Sequence, residues 1–211
     1  MIKKYIKSHG QFILVITGLK GTGKTTLCKS LNMYLKIIMI KSNEFINDID
    51  NKYELTNGNI VNNIYVDGYI NWENFNRKIV DNKQSGVMII CDGFPLDKMN
   101  FTPDIHIHIS ITKEKLKDYY YSNYNNNELE KKLLMINSLI YPYYIDVCNR
   151  SAFSVVYYND GNLYDSIKKY IKKFIFMRLP IKNINNNFYT FITTPVNNKI
   201  YLEDDNIIID D

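Results

Sequence analysis

The run Gly18-Leu19-Lys20-Gly21-Thr22-Gly23-Lys24-Thr25 matches the spacing G-x-x-x-x-G-K-[ST] at every fixed position, and it uses three of the chain's nine glycines. Such a run can cradle phosphate. Glycines let the backbone bend tightly and turn successive N–H groups toward phosphate oxygens, and a helix starting just beyond adds partial positive charge there. Lys24 is then the group that reaches the β- and γ-phosphates, and the Thr25 hydroxyl the one that holds Mg²⁺. Gly18, Leu19, Lys20, Gly21, Thr22, Gly23, Lys24, Thr25 and Thr26 are the expected nucleotide contacts, with ATP or GTP and Mg²⁺ as ligands. The spacing reports phosphate binding and leaves the reaction open.

Other groups capable of chemistry follow short apolar runs. Asn43, Glu44 and Phe45 come after Ile37-Ile38-Met39-Ile40, and Asp92 comes after Val87-Met88-Ile89-Ile90-Cys91. Lys113 and Lys117 stand four apart, on one face of a helix. Tyr119, Tyr120, Tyr121 and Tyr124 could stack on a nucleobase, although such runs more often pack on a neighbouring helix. His106 and His108 alternate along a strand and share a face; with no third ligand nearby, they are expected to be structural rather than metal-binding. Cys28, Cys91 and Cys148 are odd in number and lack CxxC spacing, which argues against a disulfide framework and for a reducing, cytoplasmic setting.

These residues need elements to position them. Phe12–Ile16, Ile37–Ile40, Val87–Cys91, Ile105–Ile111 and Phe153–Tyr157 read as five strands; continuous apolar runs of this length suit a parallel sheet buried on both faces. Helical spacing falls at 26–35, at 72–80 (with Trp72, Phe75, Ile79 and Val80 on one face), at 113–121, at 128–139 and at 163–176. Alternating strands and helices predict an α/β fold, a three-layer sandwich of the P-loop nucleoside triphosphate hydrolase type with a five-stranded parallel sheet. Ligands of such sheets bind at the carboxyl ends of the strands, where the residues singled out lie. Beyond Leu179-Pro180, Phe188–Thr193 and Lys199–Leu202 predict a hairpin across Pro195–Asn198, followed by an acidic end. The expected organisation is a domain at 1–179 and an extension at 180–211.

Composition narrows the function classes. With 211 residues, one α/β domain is expected. A net charge of +4 without a basic patch argues against a nucleic-acid partner. No apolar run reaches membrane-spanning length, and the first residues lack a signal-peptide pattern. A GTP switch would need an N-K-x-D motif late in the chain; Asn82-Lys83-Gln84-Ser85 lacks the Asp and comes too early. Only three arginines, Arg77, Arg150 and Arg178, argue against a motor ATPase.

Four segments together resemble the uridine kinase family, which includes nicotinamide riboside kinases and other small-molecule P-loop kinases. They are the phosphate loop; Lys41-Ser42-Asn43-Glu44-Phe45; Tyr65-Val66-Asp67 leading to Asn71-Trp72-Glu73; and Ile89-Ile90-Cys91-Asp92-Gly93-Phe94. The resemblance spans about residues 11–176. It implies ATP- and Mg²⁺-dependent phosphoryl transfer to a hydroxyl of a nucleoside or similar small molecule. A carboxylate after the second strand accepts the hydroxyl proton, and the acid after the third strand, Asp92, supports the metal. It further implies Asn43, Glu44, Phe45, Tyr65 and Asp67 as substrate contacts and a cationic lid after the fourth strand.

Two positions depart from the family. Asn43 falls where the base belongs and cannot accept a proton; Glu44 reaches the role by a one-residue shift of the loop, with Asp67 and Asp92 as other acids that could face the site. The lid carries Lys113 and Lys117 in place of arginines, which are point charges without the bidentate fork. The departures keep open one alternative, a catalytically degenerate nucleotide-binding protein with a structural or regulatory role; another, a nucleoside monophosphate kinase, changes only the acceptor.

Overall fold

Apolar side chains on both faces force the run after Gln11 into the middle of a sheet. β1 (Ile13–Gly18) is buried at every residue. It pairs in parallel with β5 (Val87–Cys91) on one side and β6 (Ile105–Ser110) on the other, through registers such as Val15 with Ile89 and with His106. β2 (Ile38–Lys41) extends the sheet beyond β5, and β7 (Val155–Tyr158) extends it beyond β6. The resulting order is β2-β5-β1-β6-β7, all parallel. The computed structural model describes the chain apart from residues 65, 67, 92–97, 159–161, 180–199, 204–205 and 210–211; for residues 126, 127, 200–203 and 206–209 only the backbone is described.

Alternation along the strands sorts the core into layers. Leu14 and Ile16 point to the face covered by α2 (Lys24–Leu35) and α7 (Leu163–Arg178), meeting Leu27, Leu31, Ile167 and Ile171. Ile13 and Val15 point to the other face, where α3 (Trp72–Asn82) supplies Phe75 and Ile79. Val80, expected on that buried face, is instead 44% exposed; the buried stripe runs through Phe75, Asn76 and Ile79. Asn76 is held by bonds to the Lys98 carbonyl and the Asn100 N–H.

Ahead of the first strand lies a helix beyond those expected from spacing, α1 (Ile2–His9). It adds Ile2 and Tyr5 to the first layer. The Tyr5 hydroxyl donates to Asp104 Oδ1 at 2.8 Å, while Asp104 Oδ2 accepts the Ile13 N–H at 2.7 Å, so one carboxylate ties α1 to the start of β1. Burial, and then the Asp104 carboxylate, push the Tyr5 phenol up to about 12.

The helices after β6 form a separate small core. α4 (Lys113–Asn123), α5 (Asn126–Met135) and α6 (Tyr141–Arg150) pack Leu116, Tyr120, Ile136, Ile140, Tyr144 and Cys148 around Leu19 of the phosphate loop. The helix expected to end at Leu139 continues through a π-turn, Ile136–Ile140, into α6. Pro142 explains the turn: it has no N–H to donate, and its ring crowds the carbonyl four residues earlier. That carbonyl, Ser138 O, accepts a 3.3 Å bond from the Tyr53 hydroxyl. Tyr53 comes from a short antiparallel hairpin, β3 (Lys52–Glu54) with β4 (Ile60–Asn62), also unanticipated.

Among the described residues, β8 (Ile200–Glu203), which overlaps the strand expected at 199–202, pairs antiparallel with β9 (Asn206–Ile209). The expected partner at 188–193 lies outside the described residues.

Candidate nucleotide site

Gly18 ends β1 and begins the loop. A Cβ there would lie 2.5 Å from the Ile109 carbonyl oxygen and 3.0 Å from Thr22 Oγ1, so only glycine lets the loop leave the sheet so close to β6. Gly21 and Gly23 have φ of 93° and 83°, the left-handed region that a side chain disfavours. Gly23 caps α2, and its carbonyl accepts the Leu27 N–H at 3.0 Å. The first turn of α2 therefore presents its N–H groups at the mouth of the loop, together with the exposed Thr25 and Thr26.

The loop is braced on the Leu19 carbonyl. It accepts the Thr22 hydroxyl at 2.9 Å and the Lys24 ammonium at 2.6 Å. Lys24 Nζ also lies 3.4 Å from Thr22 Oγ1. Lys24 is only 4% exposed, so its charge sits inside the curve of the loop rather than in solvent. The Leu19 side chain, buried among the helices α4 and α6, anchors the same turn from behind. Behind the helix start, burial pushes the Cys28 thiol up to about 12, with the nearby Lys24 charge opposing the shift.

A cavity of about 150 Å³ adjoins the loop on the β6–β7 side. Gly21 and Thr22 form its floor, Ser110 and Ile111 one wall, Lys115 and Tyr119 of α4 another, and Tyr158 closes the end of β7. The Tyr119 ring lies directly on the loop: a Cβ on Gly21 would come within 2.8 Å of it. In the sequence Tyr119 stands within a tyrosine run, and no motif singles out Lys115. Helical spacing explains both, since 115 and 119 share a face while Leu116 and Tyr120 turn inward.

The proposed lid lysines have other surroundings. Lys113 Nζ lies over the Tyr141 ring at 5.7 Å, and Lys117, half-buried, does not line the cavity. On the opposite side of β1, across β5, the chain after β2 makes a short 3-10 turn, Ser42–Glu44. Asn43 and Glu44 are exposed there, and Glu44 pairs with Lys41 at 3.6 Å. Phe45 packs edge-on against Phe75 at 5.4 Å and fixes the turn to α3. Ser42 Oγ is buried beside this turn with no hydrogen-bond partner among the described residues. Asp92, Tyr65 and Asp67 lie outside the described residues.

His106 and His108 are core groups, as expected. Each lies within hydrogen-bond distance of Thr17 Oγ1, at 3.0 and 2.9 Å, and both pack on Phe153. Burial lowers the imidazoles to about 4 and about 3 respectively. Among the described residues no cluster of three His, Cys, Asp or Glu could hold a metal. The Thr25 hydroxyl, exposed at the helix start, fits Mg²⁺ as a hard cation completing its shell with phosphate and water oxygens.

The parallel order with the loop strand at its centre, the glycine-built turn and the buried lysine define a P-loop nucleotide-binding fold. No protein-family model matches the chain, and no curated protein matches it. Among solved structures it is similar to an uncharacterized protein from Eubacterium ventriosum ATCC 27560, at 14% identity and a TM-score of 0.48 over 77% of this chain and 99% of that one. It is also similar to shikimate kinase from Bacteroides thetaiotaomicron, at 14% identity and 0.44 over 77% and 97%. A gluconokinase from Sinorhizobium meliloti 1021 is similar at 9% identity and 0.47 over 79% and 93%. The fold assignment rests on the strand order and the loop geometry. No helix among the described residues is long and apolar enough to cross a membrane.

Proposed function

We propose that the chain is an ATP- and Mg²⁺-dependent phosphotransferase acting on a hydroxyl of a small molecule, with a nucleoside-type acceptor. The observation that carries this reading is the phosphate loop itself, with left-handed glycines, the buried Lys24 and the opened first turn of α2 converging on one point. The loop lies between two different surroundings. Toward β6 and β7, the cavity beside Tyr119 suits the base of the donor, by stacking on the ring. Toward β5 and β2, the turn Ser42–Glu44 stands at the carboxyl end of β2, where the acceptor belongs.

Lys24 leaves the Leu19 carbonyl and follows the transferred phosphoryl group, and Lys115 balances charge from the α4 side. Bound Mg²⁺ would neutralise charge on the phosphates, held by Thr25 and, in this proposal, supported by Asp92. Glu44 takes the hydroxyl proton. To do so it must exchange its Lys41 pairing for the substrate. The extension at 180–211 is assigned no part in this chemistry.

That same pairing favours a second reading, a nucleotide binder without transfer, because Asn43 and an engaged, exposed Glu44 leave the base position weak. The test is a panel of nucleosides, nucleoside monophosphates and sugars incubated with labelled ATP and Mg²⁺. Transfer to a nucleoside supports the proposal, transfer only to monophosphates reassigns the acceptor, and binding without transfer selects the second reading. Within an active pair, an undiminished rate in Glu44→Gln would exclude Glu44 as the base.

A further inference from the structure

A chain of buried hydrogen bonds runs from the cavity wall to the root of the phosphate loop. Ser110 Oγ lies 3.2 Å from the Tyr144 hydroxyl, which lies 2.8 Å from His108 Nε2. His108 Nδ1 is 2.9 Å from Thr17 Oγ1, and Thr17 Oγ1 is 3.0 Å from His106 Nε2. His106 Nδ1 ends the chain 2.9 Å from the Ala152 carbonyl. Each of the five side chains is 3% exposed or less.

Proton accounting gives the chain one polarity. The Ala152 carbonyl only accepts, so His106 Nδ1 carries a proton and, in the neutral ring, Nε2 accepts from Thr17. Thr17 has a single proton to give, so its oxygen accepts from His108 Nδ1–H. His108 Nε2 then accepts from Tyr144, whose oxygen accepts from Ser110. Every member is satisfied in this arrangement, and the Cys148 thiol, 3.8 Å from His108 Nε2, packs beside the same junction.

Its position decides what it does. Thr17 immediately precedes Gly18, and Gly18 stands opposite Ile109 in the pairing of β1 with β6, with no room for a side chain between them. Tyr144 belongs to α6 and packs with Leu19, Leu116 and Tyr120, in the core that also carries the Lys115–Tyr119 face of α4. We propose that Thr17, His108 and Tyr144 are positioning residues that set the phosphate loop against the α4 wall, and thereby set affinity for the nucleoside triphosphate. This rests on the reading of the loop as a triphosphate site.

The test measures MgATP affinity by calorimetry, with melting temperature recorded alongside, for the wild type, Thr17→Val, Thr17→Ser and Tyr144→Phe. Thr17→Val keeps the shape and leaves His106 Nε2 and His108 Nδ1 without their shared partner; Tyr144→Phe keeps the ring in its packing and removes the hydroxyl. Both should raise the Kd about tenfold, and Thr17→Ser should recover most of the loss seen in Thr17→Val. Lower melting temperatures with a wild-type Kd in both would overturn the proposal, because that is the signature of a purely structural network. If Thr17→Val does not fold, Tyr144→Phe decides alone. A wild type that fails to bind MgATP would sink the triphosphate reading itself, a result distinct from wild-type binding that the variants leave unchanged.

Discussion

Gly21 is held between two constraints, a backbone at φ 93° and the Tyr119 ring against its α-carbon. Gly21→Ala should therefore cost both. The left-handed backbone alone is worth about 1–2 kcal/mol, so MgATP affinity is expected to fall roughly tenfold. Adding Tyr119→Ala relieves the contact but not the backbone, and a double-mutant cycle on Kd reads the difference. An additive cycle would show that Tyr119 does not press on the loop. At this scale the loop was fully legible in the sequence, because every requirement of a phosphate cradle lies within eight consecutive residues. Lys115 and Ser110 were not legible as cavity residues. Their roles depend on α4 and β6 being brought beside the loop by long-range pairing, which no local spacing records.

Pro142 forces a slip in the helical ladder, and the chain answers with a hydroxyl from another hairpin. Tyr53→Phe should leave the Ser138 carbonyl without that donor and destabilise the protein by about 1 kcal/mol, measured by chemical denaturation. An unchanged denaturation midpoint would mean water replaces Tyr53 at no cost. The five strands of the sheet were legible because continuous apolar runs have few other uses in a short chain. α1 escaped notice because it is short and its burial depends on Tyr5 meeting Asp104. α6 escaped because Tyr141-Pro142 reads as a break, and the π-turn that absorbs the proline is a tertiary compromise.

Across the whole molecule, the two buried imidazoles make stability depend on pH. Their pKa values fall to about 4 for His106 and about 3 for His108 on folding, from an unfolded value near 6.5. Both are depressed, so the stabilisation is fully present above about pH 6.5. It is lost as pH falls toward 4 and then 3, because the unfolded chain binds protons that the native core refuses. Between pH 7 and pH 5 the loss should be on the order of 2 kcal/mol per histidine, measured by urea denaturation. A flat profile across that window would contradict the burial and the polarity of the network. The strand order was not legible residue by residue: sequence gives five strands and a crossover habit, while the order β2-β5-β1-β6-β7 follows from which faces the helices must cover.

That order places the phosphate loop between the cavity beside Tyr119 and the turn Ser42–Glu44, and the proposed function has a phosphoryl group pass from a loop-bound triphosphate to an acceptor on the turn's side. The direct measurement is transfer from γ-labelled ATP to a small hydroxyl acceptor, in the presence of Mg²⁺, by the wild type and by Lys24→Ala. Transfer by the wild type and a loss on the order of 10²–10³-fold in Lys24→Ala are expected. Equal transfer by both proteins, or ATP binding by the wild type with no transfer to any acceptor, would contradict the proposed function.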